Sequence, residues 1–413
     1  MVKKSLRLKM ICFSISLIIT ALLIVTYSIP AVAYSGNGNG TADAPYQIST
    51  FEEMNEIRYD LSAHYILMND LSMNGSDQQW ELIGYSDNPF TGTFNGNMKI
   101  IKNINIGSPG PENVNQYIGL FGVTSENAVI SNLTLMYVTI GNNSTLNNRQ
   151  DLQYSGSFVG YNKGTVTNCR VIGTVIFSNW NAGGLVGSNV GVIENCSAEG
   201  SITGVTAGGL VGSNGNIGMI QTSFSNATVV GLRDAGGLVG INWGDISNCM
   251  SEGSVFGDYM AGGFAGGNLP GTIEYCYTKS TVDGQTHVGG FIGVNQGYLN
   301  NCISMNAYIN NTPRIRIESS PQLPFIKIVF GAGEPIGRIA CVSFPSFPGE
   351  YPQTMRNIYS WEETETNRWR FAAVNGIIVQ TEEMKSFPGS VWSEWNQTIW
   401  EKGEDGFPVI KQE

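Results

Sequence analysis

Residues 183–196 read Gly-Gly-Leu-Val-Gly-Ser-Asn-Val-Gly-Val-Ile-Glu-Asn-Cys, and this stretch recurs along the chain. Its copies begin at residues 156, 183, 208, 236, 262 and 289, so successive steps are 27, 25, 28, 26 and 27 residues. The copy that begins at Gly208 carries a two-residue insertion and has Ser223 where the others have Cys. Self-similarity at a fixed period of this size indicates a repeat architecture.

Within a repeat, short apolar segments alternate with Gly and Asn turns, and no long helical period appears. After the cysteine, small or apolar residues alternate with polar ones. The first set is Cys196, Ala198, Gly200 and Ile202, and the second is Ser197, Glu199 and Ser201. This alternation predicts a strand that is buried on one face only.

Length and repeat together predict an all-β protein. The chain has 413 residues, more than the roughly 250–300 at which single compact cores stop growing. A unit of about 26 residues cannot bury its apolar face alone. Coiling successive units into a parallel β-solenoid pairs each strand with its counterpart one turn later, at about 4.8 Å. We therefore expect a parallel β-helix with turns of about 26 residues and eight or so turns.

Two further positions recur in every strong copy. An asparagine follows the first glycine by six residues, at Asn162, Asn189, Asn214, Asn242, Asn268 and Asn295. An apolar residue occupies a second row, at Phe158, Leu185, Leu210, Leu238, Phe264 and Phe291. Stacked asparagines can hydrogen-bond to one another and tolerate left-handed turns. Both rows are interpreted as inward structural positions rather than as ligand-binding groups.

The pattern Gly-Gly-Leu-Val-Gly-Ser-Asn-x-Gly-x-Ile-x-Asn-Cys resembles the GLUG motif. That repeat is found in large exported surface proteins, including the non-catalytic part of some IgA-specific metallopeptidases. Weaker copies flank the array at residues 118–133 and 337–360, and residues 40–48 and 94–97 look like the segment that usually precedes such repeats. The resemblance implies a right-handed β-helix and cell-surface display. It does not imply peptidase activity.

The chain divides into five predicted segments. Residues 1–33 form a signal peptide, with Lys3, Lys4, Arg7 and Lys9 before an apolar run and Ala31-Val-Ala33 as the cleavage site. The alternative is an uncleaved membrane anchor, since the apolar run has 19 residues. Residues 34–117 are the N-terminal cap and first turns, and 118–302 the repeats. Residues 303–360 are a proline-rich elaborated turn with a degenerate last repeat, and 361–413 a C-terminal cap.

Both ends are predicted to carry short capping helices. Thr50-x-x-Glu53 is a capping box, which predicts a helix from about Phe51 to Arg58 over the open first turn. A second short helix is expected over residues 381–386. Trp392, Trp395 and Trp400 are interpreted as part of a cap on the solenoid core rather than as a sugar-binding platform.

The composition excludes several classes of site. The formal net charge of −11 argues against nucleic-acid binding. The two histidines, His64 and His287, lie in no zinc or triad motif.

Five cysteines fall on one row: Cys169, Cys196, Cys249, Cys276 and Cys302. In-register Cβ atoms on this row lie too far apart for disulfides, so we expect buried free thiols. Asn195, in an Asn-x-Ser sequon, is also expected to be buried.

Carboxylates are the remaining catalytic candidates. Glu199 and Glu252 share one outward position, which Lys279 occupies in a later turn, and this row is interpreted as a solvated face. We therefore predict no catalytic, cofactor-binding or metal-ligating residue and no cofactor. The expected function is that of a non-catalytic, secreted or cell-surface β-solenoid that serves as a stalk or adhesion module. Its partner would be an unidentified surface glycan or protein, with membrane contact only through an uncleaved N-terminal segment. The alternative is a polysaccharide-cleaving β-helix.

Overall fold

The computed structural model is nearly all β. It describes residues 34–73, 79–107, 117–141, 153–306, 308–311, 315–318, 327–330, 336–337, 340–343, 355–361, 365–366, 377–405 and 407–411. The predicted signal peptide, residues 1–33, lies outside the described residues. Parallel strands stack turn upon turn into a β-solenoid of about eight turns, which confirms the predicted fold class.

One wall of the solenoid is an eight-stranded parallel sheet to which each turn contributes one strand. Its strands are Phe121–Val123, Val159–Asn162, Val186–Asn189, Val211–Asn214, Val239–Asn242, Ala265–Asn268, Ile292–Asn295 and Ala340–Ser343. Neighbours pair in chain order and in register, so Val186 lies between Val159 and Val211. Eight strands at about 4.8 Å make a stack roughly 40 Å long.

The other walls form one large sheet of 28 strands. Before the repeats these strands are Tyr46–Ile48, His64–Leu67, Leu71–Ser72, Thr93–Lys102, Asn105–Ile106, Tyr117–Ile118, Val129–Met136 and Thr139–Ile140. In the repeats they are Tyr154–Gly156, Thr165–Phe177, Asn181–Gly183, Val192–Glu194, Ser197–Gly208, Met219–Gln221, Phe224–Gly236, Asp245–Ser247, Met250–Gly257, Met260–Gly262, Thr272–Glu274, Tyr277–Thr278, Thr281–Gly284, His287–Gly289 and Tyr298–Ser304. Beyond them follow Tyr308–Asn311, Ile336–Gly337, Met355–Trp361, Glu365–Thr366 and Ile377–Val379.

The glycines that open the repeats set the register. Gly156, Gly183, Gly208, Gly236, Gly262 and Gly289 are paired in sequence, and Gly337 of the weak last copy continues the row. A Cβ atom at Gly183 would lie 2.6 Å from the backbone nitrogen of Gly212, closer than real Cβ contacts come. The backbone of the neighbouring turn therefore requires glycine at this position.

The proline-rich stretch continues the solenoid in part. Tyr308–Asn311, Ile336–Gly337 and Ala340–Ser343 pair with strands of the preceding turn. Between them, Ile315–Glu318 and Lys327–Phe330 form an antiparallel hairpin. The elaboration therefore includes a hairpin inserted between two solenoid strands.

The predicted asparagine row is a buried hydrogen-bonded ladder. Each side-chain amide donates to the Oδ1 atom of the next asparagine at 2.8–2.9 Å. The same amide also donates to a carbonyl in its own turn, as Asn242 does to Gly244 at 2.9 Å. Thr124 extends the ladder by donating to Asn162 at 2.8 Å. These contacts confirm the structural interpretation of the row, and we call it the Asn ladder.

Left-handed backbone occurs in a different row, directly before the cysteines. Asn168, Asn195, Thr222, Asn248, Tyr275 and Asn301 have φ between 49° and 54°. Their side chains lie at a corner on the outside of the solenoid, and Asn195 is exposed. The expectation that Asn195 is buried was therefore wrong, because the chain turns there before the cysteine points inward.

The cysteine row is buried and its five thiols are free. Each Sγ atom donates to the carbonyl two residues earlier, at 3.1–3.4 Å. Ser223 makes the same contact to Gln221 at 2.8 Å, and Leu133 and Ile358 pair in register with the first and last cysteine. The thiols therefore serve as small inward-facing groups, as predicted.

The N-terminal end is closed by a helix. Helix α1, Phe51–Asn55, begins with the predicted capping box of Thr50 and Glu53 and continues as a 3-10 helix over Glu56–Tyr59. Met54 and Ile57 join the inner core, which also contains the buried apolar row predicted from the sequence. The helix thus covers apolar side chains that the first turn leaves open.

The C-terminal segment, residues 380–411, follows the last solenoid strand. It contains helix α2, Thr381–Met384, and a 3-10 helix, Ser390–Trp392. Strands Trp400–Lys402 and Pro408–Ile410 form an antiparallel pair. The predicted helix at residues 381–386 is thereby confirmed.

Replacing Asn242 with alanine tests the Asn ladder. The change removes the hydrogen bonds to Asn214, Asn268 and Gly244 in a buried position. We expect the free energy of unfolding, measured with denaturant, to fall by about 2–4 kcal/mol. Asn226→Ala, at an exposed strand position, is the matched control and should change stability little. Equal effects of the two substitutions would contradict the assignment.

Thiol titration tests the cysteine row. Burial raises the pKa of the Cys169, Cys276 and Cys302 thiols and blocks their access to reagents. We expect almost no reactive thiol in the folded protein and about five or six after unfolding without reductant. Two or fewer thiols after unfolding would mean that the row is disulfide-linked.

Candidate functional site

The two histidines, which would be needed for a zinc site or a nucleophilic triad, lie in turns far apart along the solenoid. His64 is in an early turn, where its Nδ1 atom lies 2.7 Å from Thr93 Oγ1, and His287 is in a late one. Among the described residues, no group of three or more His, Cys, Asp or Glu side chains is placed to hold a metal ion. In the same part of the chain, no helix is long and apolar enough to cross a membrane.

The outward carboxylates form ion pairs on the solenoid surface. Glu199 accepts from Arg170 at 2.8 Å. Lys279 lies 3.5 Å from Glu252 and 2.8 Å from Asp405 of the C-terminal segment. Partly exposed pairs of this kind contribute little to stability, typically about 0–1 kcal/mol each. The row is thus the charged, solvated face that the sequence indicated.

The C-terminal segment packs along the side of the last repeats. The outward row that follows the cysteines changes from polar to apolar along the chain: Arg170, Ser197, Phe224, Met250, Tyr277 and Ile303. Its apolar part forms a second core with the three predicted tryptophans. These tryptophans were predicted to cap the solenoid core; within the described residues they are buried, but they cover the side of the solenoid and do not join its inner core.

Polar contacts fix this segment to the repeats. Tyr277 donates through its hydroxyl to the carbonyl of Pro408 at 2.5 Å. Trp400 Nε1 donates to Asn248 Oδ1 at 3.3 Å, and Asn301 Nδ2 donates to Glu394 Oε2 at 3.0 Å. The sequence signal for this docking is the change from serine to methionine, tyrosine and isoleucine after the cysteines.

A buried carboxylate lies on another outward row. Of all Asp, Glu, Lys and Arg side chains whose burial the structure describes, only that of Asp234 is fully buried, at 0% exposure. Its Oδ2 atom accepts from Thr206 Oγ1 at 3.1 Å and lies 3.6 Å from Arg233 Nε. Its Oδ1 atom is buried without a hydrogen-bond partner. Burial raises the pKa of Asp234 to about 6, against the opposing effects of Arg233 and the Thr206 hydrogen bond.

Aromatic and basic side chains surround this carboxylate. Arg233 lies over the ring of Tyr259, with 5.8 Å from its Cζ atom to the ring centroid. The Tyr259 ring meets the His287 ring edge-on at 4.9 Å. The Nδ1 atom of His287, like Asp234 Oδ1, is buried without a hydrogen-bond partner. We call Arg233, Asp234, Tyr259, Met260 and His287 the Asp234 cluster.

Met260 gives the cluster an apolar base. It pairs in register between Asp234 and His287. Its side chain packs against Ile241 and Val294 of the eight-stranded sheet, apart from the inner core. The cluster therefore combines an apolar base with two unpaired buried polar atoms and two exposed residues, Arg233 and Tyr259.

Comparison with protein families identifies the repeat. The family model of the GLUG motif matches residues 151–176, 178–203 and 231–255. Three of the chain's repeats therefore carry the GLUG motif. The matched GLUG repeats exclude the turn that carries Ser223 and the two-residue insertion.

Two curated relatives align with about a third of the chain. Halomucin from Haloquadratum walsbyi is 31% identical over 149 residues, which is 33% of this chain and 2% of halomucin. A protein named "Putative Gly-rich membrane protein" from Evansella cellulosilytica is 32% identical over 142 residues, 32% of this chain and 15% of that protein. The chain thus aligns with only a small part of either relative.

A solved structure also resembles the GLUG solenoid. It is described as a "putative immunoglobulin A1 protease" from Bacteroides ovatus. The two share 20% identity with a TM-score of 0.44, and the match covers 91% of this chain and 94% of the other.

The Asp234 cluster was not predicted from the sequence. Asp234, Met260 and His287 lie two residues before the first glycine of their repeats, and Arg233 and Tyr259 directly precede the first two of them. The position two residues before the glycine holds Tyr154, Asn181, Thr206, Asp234, Met260 and His287. The sequence does show a single aspartate at a repeat position that holds uncharged residues or histidine in the other copies.

The pH dependence of stability tests the environment of Asp234. Folding raises the pKa of Asp234 from 3.8 to about 6, so the folded protein binds this proton more tightly than the unfolded chain does. Its contribution to the free energy of unfolding is therefore largest below pH 4 and is lost as the pH rises through 6. The free energy of unfolding of Asp234→Asn minus that of the wild type should be about 2–3 kcal/mol larger at pH 7.5 than at pH 3.5.

Asp245→Asn is the matched control, because Asp245 is an exposed aspartate of a neighbouring strand. Denaturant unfolding of all three proteins at both pH values gives the comparison. An Asp234→Asn difference that is the same at both pH values would contradict the assignment.

Proposed function

We propose that the protein is a non-catalytic, exported β-solenoid that displays binding surfaces on the cell surface as a stalk or adhesion module. The observation that carries this proposal is that the inward and outward rows of the solenoid have different roles. The side chains of the Asn ladder and the cysteine row form hydrogen bonds within the solenoid. Variation between repeats falls on outward rows, such as the one that runs from Arg170 to Ile303.

The names of the two relatives support a surface location. One is a halomucin and the other is named a Gly-rich membrane protein. The predicted signal sequence, with Ala31-Val-Ala33 before the first described residues, supports export. A stiff stack of turns also suits a stalk, since its length grows with the number of repeats.

A polysaccharide-cleaving β-helix is the second candidate, favoured by the raised pKa of Asp234. General acid–base catalysis requires the carboxyl group to reach a substrate oxygen. Asp234 has no exposed surface and rests on Thr206, so it offers no such contact in this arrangement. The non-catalytic role therefore fits the geometry better.

Two measurements test the proposal together. Antibody labelling and protease treatment of intact source cells should find the repeats outside the cell. Purified protein incubated with acidic and neutral polysaccharides should release no new reducing ends and no unsaturated products. Retention of the repeats inside the cell, or glycan turnover that Asp234→Asn abolishes, would overturn the proposed function.

A further inference from the structure

We infer that Asn396, in an exposed turn of the C-terminal segment, is a site of N-linked glycan attachment. It begins the sequon Asn396-Gln-Thr398, and Asn-x-Ser/Thr is the acceptor sequence for this modification in surface loops of secreted proteins. The inference rests on the proposed function, since the modification acts on exported chains. It goes beyond that function because it assigns a covalent modification to one atom, Asn396 Nδ2.

The fold separates this sequon from the others. The sequence contains eight Asn-x-Ser/Thr sequons, and the structure describes the asparagines of five: Asn132, Asn195, Asn226, Asn310 and Asn396. Asn226 and Asn310 lie inside strands that pair with a neighbouring turn, and Asn310 is only 9% exposed. A strand in a sheet cannot enter an enzyme without losing its ladder of hydrogen bonds, so these two sequons are poor acceptors in the folded protein.

Two further sequons lie at the left-handed corner. Asn132 and Asn195 have φ of 56° and 51°. The Nδ2 atom of Asn132 is engaged, because it donates to Asn95 Oδ1 at 3.1 Å. The hydroxyl group of the Asn195 sequon belongs to Ser197, which is only 7% exposed. Each of these sequons therefore lacks an accessible group that the Asn396 sequon presents.

The turn at Asn396 holds the amide oxygen and leaves the amide nitrogen accessible. Asn396 Oδ1 accepts from the backbone nitrogen of Thr398 at 2.9 Å and from its Oγ1 atom at 2.8 Å. The Asn396 carbonyl accepts from the backbone nitrogens of Ile399 and Trp400, each at 3.0 Å. The side chains of Asn396 and Thr398 are both exposed, so the reactive amide and the hydroxyl of the sequon face solvent together.

Glycan attachment at this position is compatible with the fold. A substituted amide keeps its oxygen as an acceptor, so both hydrogen bonds from Thr398 to Asn396 Oδ1 remain possible. The backbone bond from Trp400 is untouched, and the buried Trp400 ring stays in the second core. The C-terminal segment therefore stays docked while the glycan projects into solvent from the side of the solenoid.

The co-reactant is an oligosaccharide that is joined to a lipid through a diphosphate, and a transferase of the source cell catalyses the transfer. Asn396 Nδ2 forms a bond to C1 of the first sugar, and the bond between C1 and the diphosphate oxygen breaks. The lipid diphosphate leaves with the electron pair of that bond, and Nδ2 loses one proton.

Tandem mass spectrometry of the full chain, purified from source cells, tests the inference. Trypsin cleavage after Lys385 and Lys402 releases residues 386–402, a peptide in which Asn396 begins the only sequon. We expect this peptide to carry a glycan on Asn396. We also expect the sequons of Asn132, Asn195 and Asn226 to be unmodified. An unmodified Asn396, or glycans on those sequons instead, would overturn the inference.

Two substitutions of Thr398, produced in the source cells, test the role of its hydroxyl group. Thr398→Val removes the hydroxyl and keeps the side-chain shape, so the fraction of peptide 386–402 that carries the glycan should fall at least tenfold. Thr398→Ser should retain the glycan. Thr228→Val, at the matching exposed position of the Asn226 sequon, should leave the glycan on Asn396 unchanged. A glycan that survives Thr398→Val would contradict the assignment.

Misfolding does not confuse this comparison, because Thr398 is exposed and the tryptophan fluorescence of each variant reports the docked C-terminal segment. Surface labelling of intact cells is a separate measurement. An unmodified Asn396 on repeats found outside the cell would overturn this inference and leave the proposed display function intact. Retention of the repeats inside the cell would overturn the proposed function.

Discussion

The in-register stacking of one asparagine per turn is the interaction on which the rest of the structure depends. Each amide bonds to the next asparagine and to its own turn, so a shift of one residue in any strand would break both contacts. The strand spacing of about 4.8 Å matches this amide-to-amide reach. Insertions are therefore confined to loops that leave the ladder intact, such as the two-residue insertion in the loop between Asn214 and Gly218 and the hairpin before Gly337.

The ladder fixes the interior and leaves the outside free to vary. Inward rows repeat the same residue types, because every turn meets the same neighbours above and below. Outward rows change from turn to turn. The row that ends in Met250, Tyr277 and Ile303 becomes apolar where the C-terminal segment covers it. The row that contains Asp234 tolerates a buried carboxylate that costs stability, and such costs in a stable scaffold commonly mark functional positions.

Features that repeat in the sequence were predictable, and features that occur once were not. The parallel strands, the Asn ladder and the buried thiols follow from periodic positions that stack by construction. The docking of the C-terminal segment depends on contacts across more than one hundred residues, such as that between Lys279 and Asp405, which no local pattern encodes. The Asp234 cluster joins side chains from three turns at a corner whose geometry sets their burial. Exposure of Asn195 likewise follows from a left-handed turn that the alternation pattern does not reveal.

Deleting one whole turn tests the central claim, that the turns are equivalent units joined by the ladder. Removal of residues 183–207 joins Ala182 to Gly208 and brings Asn162 next to Asn214. The account predicts a cooperatively folded β-protein whose long dimension, from small-angle X-ray scattering, is shorter by about 4.8 Å. Removal of residues 183–195, half a turn, should prevent folding because it breaks the register. A whole-turn deletion as damaging as the half-turn deletion would contradict the account.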